Sequence, residues 1–265
     1  MSQSVFNLSG RTAVITGAGS ANGIGFATAT MLAQMGAQVY LTGASERVLD
    51  RAKELRELGF NAVASAADLT DKSQILNLVE VIAQRFKTVD ILVNNAGMTS
   101  VIDSPSAEQE GGSLETVTLE GFEKSLSRNL TSAVAITQGL LPFIKRSSSG
   151  RIVMVSSLTG STMAMRNQVP YAVGKAGLIG LTKALALDEA QFGITVNSVA
   201  PGWIATSSAT SDESELGHKT PMGRSGSTRE VASAIAFLCT DEASYITGQT
   251  LIIDGGNSIA EERSK

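Results

Sequence analysis

Apolar residues recur along this chain in two rhythms. Short runs, apolar almost throughout, lie at Thr12–Thr16, Gln38–Gly43, Asn61–Ala66, Asp90–Asn95, Arg151–Ser157, Ile194–Val199 and Thr250–Asp254. A strand with one wet face alternates apolar and polar residues. A strand covered on both faces does not, and such strands occur in parallel sheets between layers of helices. Longer stretches of helical period separate the runs. Phe26–Met35 is one, stopped by Gly36, a residue suited to a left-handed cap. Leu119–Lys145 is another, with Leu119, Phe122, Leu126 and Leu130 at helical spacing. Tyr171–Phe192 is a third, stopped by Gly193. This alternation predicts an α/β fold: a doubly wound, seven-stranded parallel sheet flanked by helices. Right-handed crossovers then collect the C-terminal strand ends, and the ligand crevice, at one edge.

Two stretches break the rhythm. Met98–Thr118 is acidic and rich in Gly and Ser, and Ile204–Thr228 is polar and carries Pro221. Both follow strand C-termini and should overhang the crevice, the second as a lid at about 204–228. No repeat or linker divides the chain, so all 265 residues are read as a single domain. The balance of 21 basic against 25 acidic residues leaves a net charge of −4, which points away from nucleic acid and anionic membranes. No segment reaches the ~18–20 apolar residues of a membrane span. The first residues do not resemble a secretory leader, so a cytoplasmic location is the expectation. Cys239, the only cysteine, lies in the apolar run Ala234–Cys239 and is read as a core thiol. His218 is the only histidine, and no metal motif surrounds it.

Three motifs suggest chemistry. The first run ends in Thr16-Gly-Ala-Gly-Ser-Ala-Asn-Gly-Ile-Gly25, directly before a helix. Glycines there let a backbone approach a pyrophosphate, and the helix start offers unpaired N–H groups. A strand-to-helix corner with no ligand can also use glycines. The fourth run ends in Asn94-Asn95-Ala96-Gly97. Tyr171 and Lys175 share a helix face, four residues apart. An ammonium beside a phenol favours the phenolate, and so turns a weak acid of pKa ~10 into a usable one.

The ordered set of these motifs resembles the short-chain dehydrogenase/reductase family, with its Rossmann fold, along nearly the whole chain. It also includes Asp68-Leu69, Asn129, Ser157, Pro201-Gly202 with Thr206, and Ile246-Thr247-Gly248-Gln249 followed by Asp254-Gly255-Gly256. The resemblance implies an NAD(P)-dependent oxidoreductase that interconverts a carbonyl and a secondary alcohol by hydride transfer. It makes Tyr171 the general acid or base, with Lys175 holding the nicotinamide ribose and lowering the Tyr171 pKa. Ser157 would bond the substrate oxygen, Ser156 would be structural, and Asn129 would anchor a relay water. In the cofactor site it places Gly17, Gly19, Ser20, Asn22, Gly23 and Ile24. Asp68 and Leu69 would lie at the adenine, and Asn95, Ala96 and Gly97 at the adenosine ribose and its surroundings. Pro201, Gly202, Ile204 and Thr206 would flank the carboxamide.

The chain departs from the family pattern in two places. Five residues, Ala18–Asn22, stand where the family has three between Thr-Gly and Gly-x-Gly. The stretch between Gly97 and Asn129 is also longer than in many relatives, the extra part being Ser104–Leu114 with Glu108 and Glu110. That insertion reads either as a solvated excursion or as a substrate-shaping element.

After the second strand come Ala44, Ser45, Glu46 and Arg47. An acidic residue at its end would bind a ribose 2′-OH and repel a 2′-phosphate. None stands at positions 42–45, which favours NADP(H) over NAD(H), with Ala44, Ser45 and Arg47 around the phosphate. Within the family the chain looks most similar to 3-oxoacyl-[acyl-carrier-protein] reductases, through Thr220–Arg224, Asp241–Gln249 and Ala176–Gly180. The substrate would be a small carbonyl or alcohol, or an acyl thioester. The alternatives are an NAD(H)-dependent dehydrogenase of a small alcohol, polyol or sugar, and a non-catalytic NAD(P)-binding regulator. Such a regulator should have lost Tyr171 or Lys175. Carrier-protein reductases tend to be basic where this chain has Ser148–Ser149 and Gln191–Phe192, although Lys145 and Arg146 are near.

Tyr171–Phe192 is apolar nearly all round. Tyr171, Lys175, Leu178 and Thr182 would line the cofactor side, while Leu181, Leu185, Ala172, Ala176 and Ile179 spread over the others. With Ala133, Val134 and Ile136 on the neighbouring helix, this predicts a homo-oligomer, a tetramer by the resemblance.

Overall fold

The computed structural model describes residues 5–97 and 110–261. Its main sheet has seven parallel strands: β1 (Thr12–Ile15), β2 (Gln38–Gly43), β3 (Ala62–Ala66), β4 (Ile91–Asn94), β5 (Arg151–Val155), β6 (Thr195–Pro201) and, at one edge, β9 (Thr250–Ile253). The spatial order is β3-β2-β1-β4-β5-β6-β9. The order reverses between β1 and β4, so the crevice of a doubly wound sheet opens there. Each predicted run contains its strand except the sixth, where β6 runs two residues past Val199 to Pro201.

Strand residues alternate between two cores. Ala13, Ile15, Val39, Leu41, Ile91, Val93, Val153 and Val199 face one way, onto α1 (Ile24–Gln34), α2 (Arg47–Glu57) and α8 (Thr228–Leu238). Val14, Tyr40, Leu92, Ile152, Met154 and Val196 face the other way, onto α3 (Lys72–Arg85), α5 (Ser132–Ile144) and α6 (Val169–Glu189). This two-sided burial explains the unbroken apolar runs, and each fully buried Val, Leu or Ile contributes about 1.5–3 kcal/mol. Cys239 belongs to the first core, and burial pushes its thiol up to about 12.

The predicted helix Leu119–Lys145 is not continuous. It comprises α4 (Leu119–Leu126), a π turn at Ser127–Thr131, and α5. Gly36 and Gly193 take positive φ, as their stop positions require. The structure adds α2, α3 and α8, whose buried residues recur at helical spacing: Val48, Ala52 and Leu55 in α2, and Ile75, Leu78 and Ile82 in α3.

The lid also differs from the irregular stretch expected of it. It holds the paired short strands β7 (Ile204–Ala205) and β8 (Gly226–Ser227), and α7 (Ser211–His218). A reciprocal cap starts α7: Glu213 N–H donates to Thr210 Oγ1 at 3.2 Å, and Thr210 N–H donates to Glu213 Oε2 at 2.9 Å. The expected excursion at Met98–Thr118 lies outside the described residues as far as position 109, and so does Glu108. No helix among the described residues is long and apolar enough to cross a membrane.

Candidate active site

Every candidate residue follows the C-terminal end of a strand or sits on a helix facing that edge. The glycine turn follows β1, and Ala44, Ser45 and Arg47 follow β2. Asp68 and Leu69 follow β3, Asn95–Gly97 follow β4, and Ser157 follows β5. Gly202–Thr206 continue from β6, where Pro201 is the last residue.

The glycine turn is held from below. Asn95 Nδ2 donates to the carbonyls of Thr16 and Gly17 at 2.9 and 3.0 Å. Thr16 Oγ1 accepts from the N–H groups of Asn95 and Ala96 at 3.0 and 2.9 Å. Gly17 has φ +66, and a Cβ there would lie 2.8 Å from Ala96 Cα. A Cβ on Gly25 would lie 2.5 Å from Asn95 Nδ2. These two glycines are demanded by the protein's own packing.

Gly19 is different. A Cβ there would meet nothing nearer than 3.7 Å, so the space over it is open to a ligand. α1 then begins at Gly23 with no side-chain cap on its first N–H groups, a start suited to an anion. The turn and the helix start therefore fit a nucleotide pyrophosphate. Asn22 is exposed, and Ser20 Oγ lies 3.0 Å from Ser207 Oγ of the lid.

At the end of β2, Ala44, Ser45 and Arg47 are exposed, and Arg47 Nε donates to Ser45 Oγ at 3.2 Å. Asp68 is occupied locally: its Oδ1 accepts from the N–H and hydroxyl of Thr70 at 2.9 and 2.8 Å. Leu69 is buried against α3. Thr206 Oγ1 lies 3.0 Å from Ser208 Oγ, and a Cβ on Gly202 would crowd Asp254 Cβ at 2.9 Å. His218 Nδ1 lies 3.2 Å from the Gly223 carbonyl. Among the described residues no cluster of His, Cys, Asp or Glu could hold a metal ion.

Tyr171 and Lys175 lie on α6, one turn apart, with Lys175 Nζ 5.6 Å from the phenol ring centre. The Ser157 hydroxyl lies near enough to the Tyr171 phenol to lower its pKa. Lys175 is buried, and its ammonium donates to the Val155 carbonyl at 3.0 Å and reaches toward the Gly97 carbonyl at 3.5 Å. An ammonium has three protons, so one is left for a ribose hydroxyl. Burial lowers its pKa to about 8.

The expected lowering of Tyr171 by Lys175 is not what the structure gives. Burial pushes the phenol above its ordinary value, the nearby Ser157 hydroxyl pulls it back, and the Glu213 carboxylate on the lid raises it again. Asn129 is fully buried in the π turn, its Nδ2 donating to the Ser125 carbonyl at 3.1 Å and its Oδ1 without a partner. It packs on α6 between Tyr171 and Lys175, since a Cβ on Gly174 would lie 3.0 Å from Asn129 Cβ. Sequence reasoning had missed Gly174 and Glu213; the glycine inside Tyr-x-x-Gly-Lys was the available signal for the first.

A family model described as "Enoyl-(Acyl carrier protein) reductase" matches residues 17–258. The chain belongs to the short-chain dehydrogenase/reductase family. It is 39% identical over 254 residues to the 3-oxoacyl-[acyl-carrier-protein] reductase FabG of Vibrio cholerae, covering 94% of this chain and 98% of that protein. The Escherichia coli FabG gives the same identity and coverage. Among solved structures, a candidate NAD(P)-dependent gluconate 5-dehydrogenase from Beutenbergia cavernae, with NADP bound at low occupancy, superposes with a TM-score of 0.84. It is 36% identical, with 96% of this chain and 99% of that one covered. As a member of this family the chain is an NAD(P)-binding oxidoreductase acting on CH–OH groups.

Proposed function

We propose that this enzyme is an NADP(H)-dependent reductase that converts a carbonyl to a secondary alcohol, with 3-oxoacyl thioesters as its substrate class. The observation that carries the reading is the convergence of Ser157, Tyr171 and Lys175 at the C-terminal edge of β5, with Asn129 packed behind them. The bound nicotinamide would supply the hydride. Ser157 holds the carbonyl oxygen and stabilises the charge developing on it. Tyr171 gives its phenolic proton to that oxygen. A phenol held above its ordinary pKa stays protonated at neutral pH, the form needed for reduction. Lys175 binds the ribose hydroxyls, and the Asn129 Oδ1 holds a water through which the proton is replaced.

The preference for NADP(H) rests on the end of β2, where Ser45 and Arg47 are joined and exposed and no carboxylate stands at positions 42–45. The V. cholerae and E. coli proteins support the thioester. Lys145 Nζ is engaged, 2.9 Å from Glu189 Oε2 and 4.3 Å above the Phe192 ring. Arg146 donates to the Lys87 carbonyl at 3.2 Å. Lys145 is therefore already paired, while exposed Arg146 keeps its charge and most of its donors for a partner.

Residues 1–265 act as one domain in this reading, with the lid at 204–228 and the insertion at 98–118. The enzyme works as a cytoplasmic homotetramer. Exposed Val134 on α5, and Val173 and Ala176 on α6, supply one seam. Leu181 and Leu185, offered by the sequence for that role, are half-buried against the subunit's own core. Steady-state assays of 3-oxoacyl thioesters on coenzyme A and on carrier protein, with simple ketones and gluconate-type polyols, test the reading with each nucleotide. Turnover only of polyols with NAD would replace it by the dehydrogenase alternative.

A further inference from the structure

The described end of the insertion before α4 is anchored in the protein through Glu110 and Gly112. Glu110 is 2% exposed. Its Oε1 accepts from Arg128 Nη2 at 2.8 Å, and its Oε2 is buried without a partner. A carboxylate at that depth is stable only when paired. Arg128 lies in the π turn, one residue before Asn129. Two residues beyond Glu110, Gly112 N–H donates to the Asn167 carbonyl at 2.8 Å, and Val169 N–H donates to the Gly112 carbonyl at 3.2 Å. Val169 opens α6, two residues before Tyr171. One short segment thus grips both walls of the site: the turn that carries Asn129 and the loop that delivers Tyr171.

A π turn has poorer geometry than an α-helix and persists where its surroundings enforce it. Its relaxation to α-helical register would rotate Asn129 by about 100° relative to the residues beyond the turn. Neighbouring glycines make room for this register without fixing it. A Cβ on Gly97 would come within 3.1 Å of both the Arg128 carbonyl and Asn129 Oδ1. Among the described residues, the Glu110–Arg128 pair is a polar side-chain tie that reaches the turn from outside its own helix.

We propose that Glu110 is a positioning residue: through Arg128 it holds the π turn in register, and so keeps Asn129 against Tyr171 and Lys175. This rests on the tetrad reading above. It gives the insertion a role in proton relay that its polar composition does not suggest.

The test is a mutant cycle in the full-length enzyme with NADPH and a saturating ketone substrate, at a temperature where thermal melts show every variant folded. Glu110→Ala should lower kcat about tenfold, the scale of a slightly misplaced group, with NADPH affinity within about twofold of the parent. Asn129→Ala should lose at least as much. The double variant should be no worse than Asn129→Ala alone, because Glu110 acts through Asn129. Glu110→Gln keeps the shape and one acceptor, so it should fold and fall between the parent and Glu110→Ala. If Glu110→Ala fails to fold, Glu110→Gln takes its place in the cycle. Parental kcat in the Glu110 variant or in Asn129→Ala would overturn the proposal, and so would losses that multiply in the double variant. Tyr171→Phe, run in parallel, separates the two claims. If it is inactive while the Glu110 variants are neutral, only the positioning claim falls; if it is active, the tetrad reading itself fails.

Discussion

The Ser156 hydroxyl donates to the main-chain carbonyl of Lys175 at 2.8 Å, tying the end of β5 to the middle of α6. The next residue, Ser157, places its hydroxyl near enough to the Tyr171 phenol to lower its pKa. Adjacent serines thus divide the work: one fastens the helix and the other faces the chemistry. Ser156→Ala should cost about 1 kcal/mol of stability, the usual worth of one such bond, and leave turnover within a few-fold. Ser157→Ala should cut turnover far more, while also losing the bond its hydroxyl accepts from the Thr159 N–H at 3.2 Å. Denaturant melts and steady-state kinetics on the two variants check the division.

The glycines of the nucleotide turn should separate in the same way. Gly17→Ala places a side chain at positive φ, 2.8 Å from Ala96 Cα, and should destabilise the fold. Gly19→Ala meets nothing within 3.7 Å and should melt like the parent while losing NADPH affinity. Equal nucleotide affinity in Gly19→Ala and the parent would remove Gly19 from the cofactor site.

Cofactor preference should respond to one carboxylate. Ala44→Asp puts a negative charge at the end of β2, beside Ser45 and Arg47. NADPH affinity should fall while NADH affinity is kept or improved. A parent that already prefers NADH in titrations would contradict the assignment.

Lys175 gives a stability signature. Its folded pKa of about 8 lies below the ordinary 10.5, because burial disfavours the charge. The folded state therefore pays the full penalty below pH 8, and the penalty is relieved as pH rises from 8 toward 10.5. Lys175→Met should melt above the parent at pH 7, and the gap should narrow by pH 9.5. A gap that widens with pH would show that the ammonium is better held when folded than burial allows.

Assembly can be tested on the exposed seam. Val134 and Val173 are 39% and 44% exposed apolar residues on α5 and α6. Val134→Glu should shift light scattering from a tetramer to a smaller species. A parent that is monomeric at micromolar concentration would end the tetramer claim.

Much of this was readable in the sequence because it rests on short-range patterns. The strands are buried on both faces, so their runs stand out, and Gly36 and Gly193 mark helix ends by their φ. The Thr210-x-x-Glu213 signal that caps α7 went unread, because the polar residues around it made the stretch look irregular. What sequence could not give depends on contacts between distant segments. The π turn at Asn129 packs against Gly97 and Gly174 and pairs through Arg128 with Glu110, contacts from three other parts of the chain. Asn95 was expected beside a ribose, and its amide is bonded to the glycine turn; nothing local announces that. The burial of Glu110 was equally hidden, since an acidic residue in a Gly- and Ser-rich stretch ordinarily faces water.

The central claim, that Tyr171 is the proton donor of an NADPH-dependent reduction, is tested most directly by single-turnover reduction with Tyr171→Phe. Loss of the phenolic hydroxyl should slow hydride transfer by at least ~10²-fold, the scale of a lost general acid, while NADPH binding stays within about twofold. Turnover within about threefold of the parent, a difference of well under 1 kcal/mol in the barrier, would contradict it.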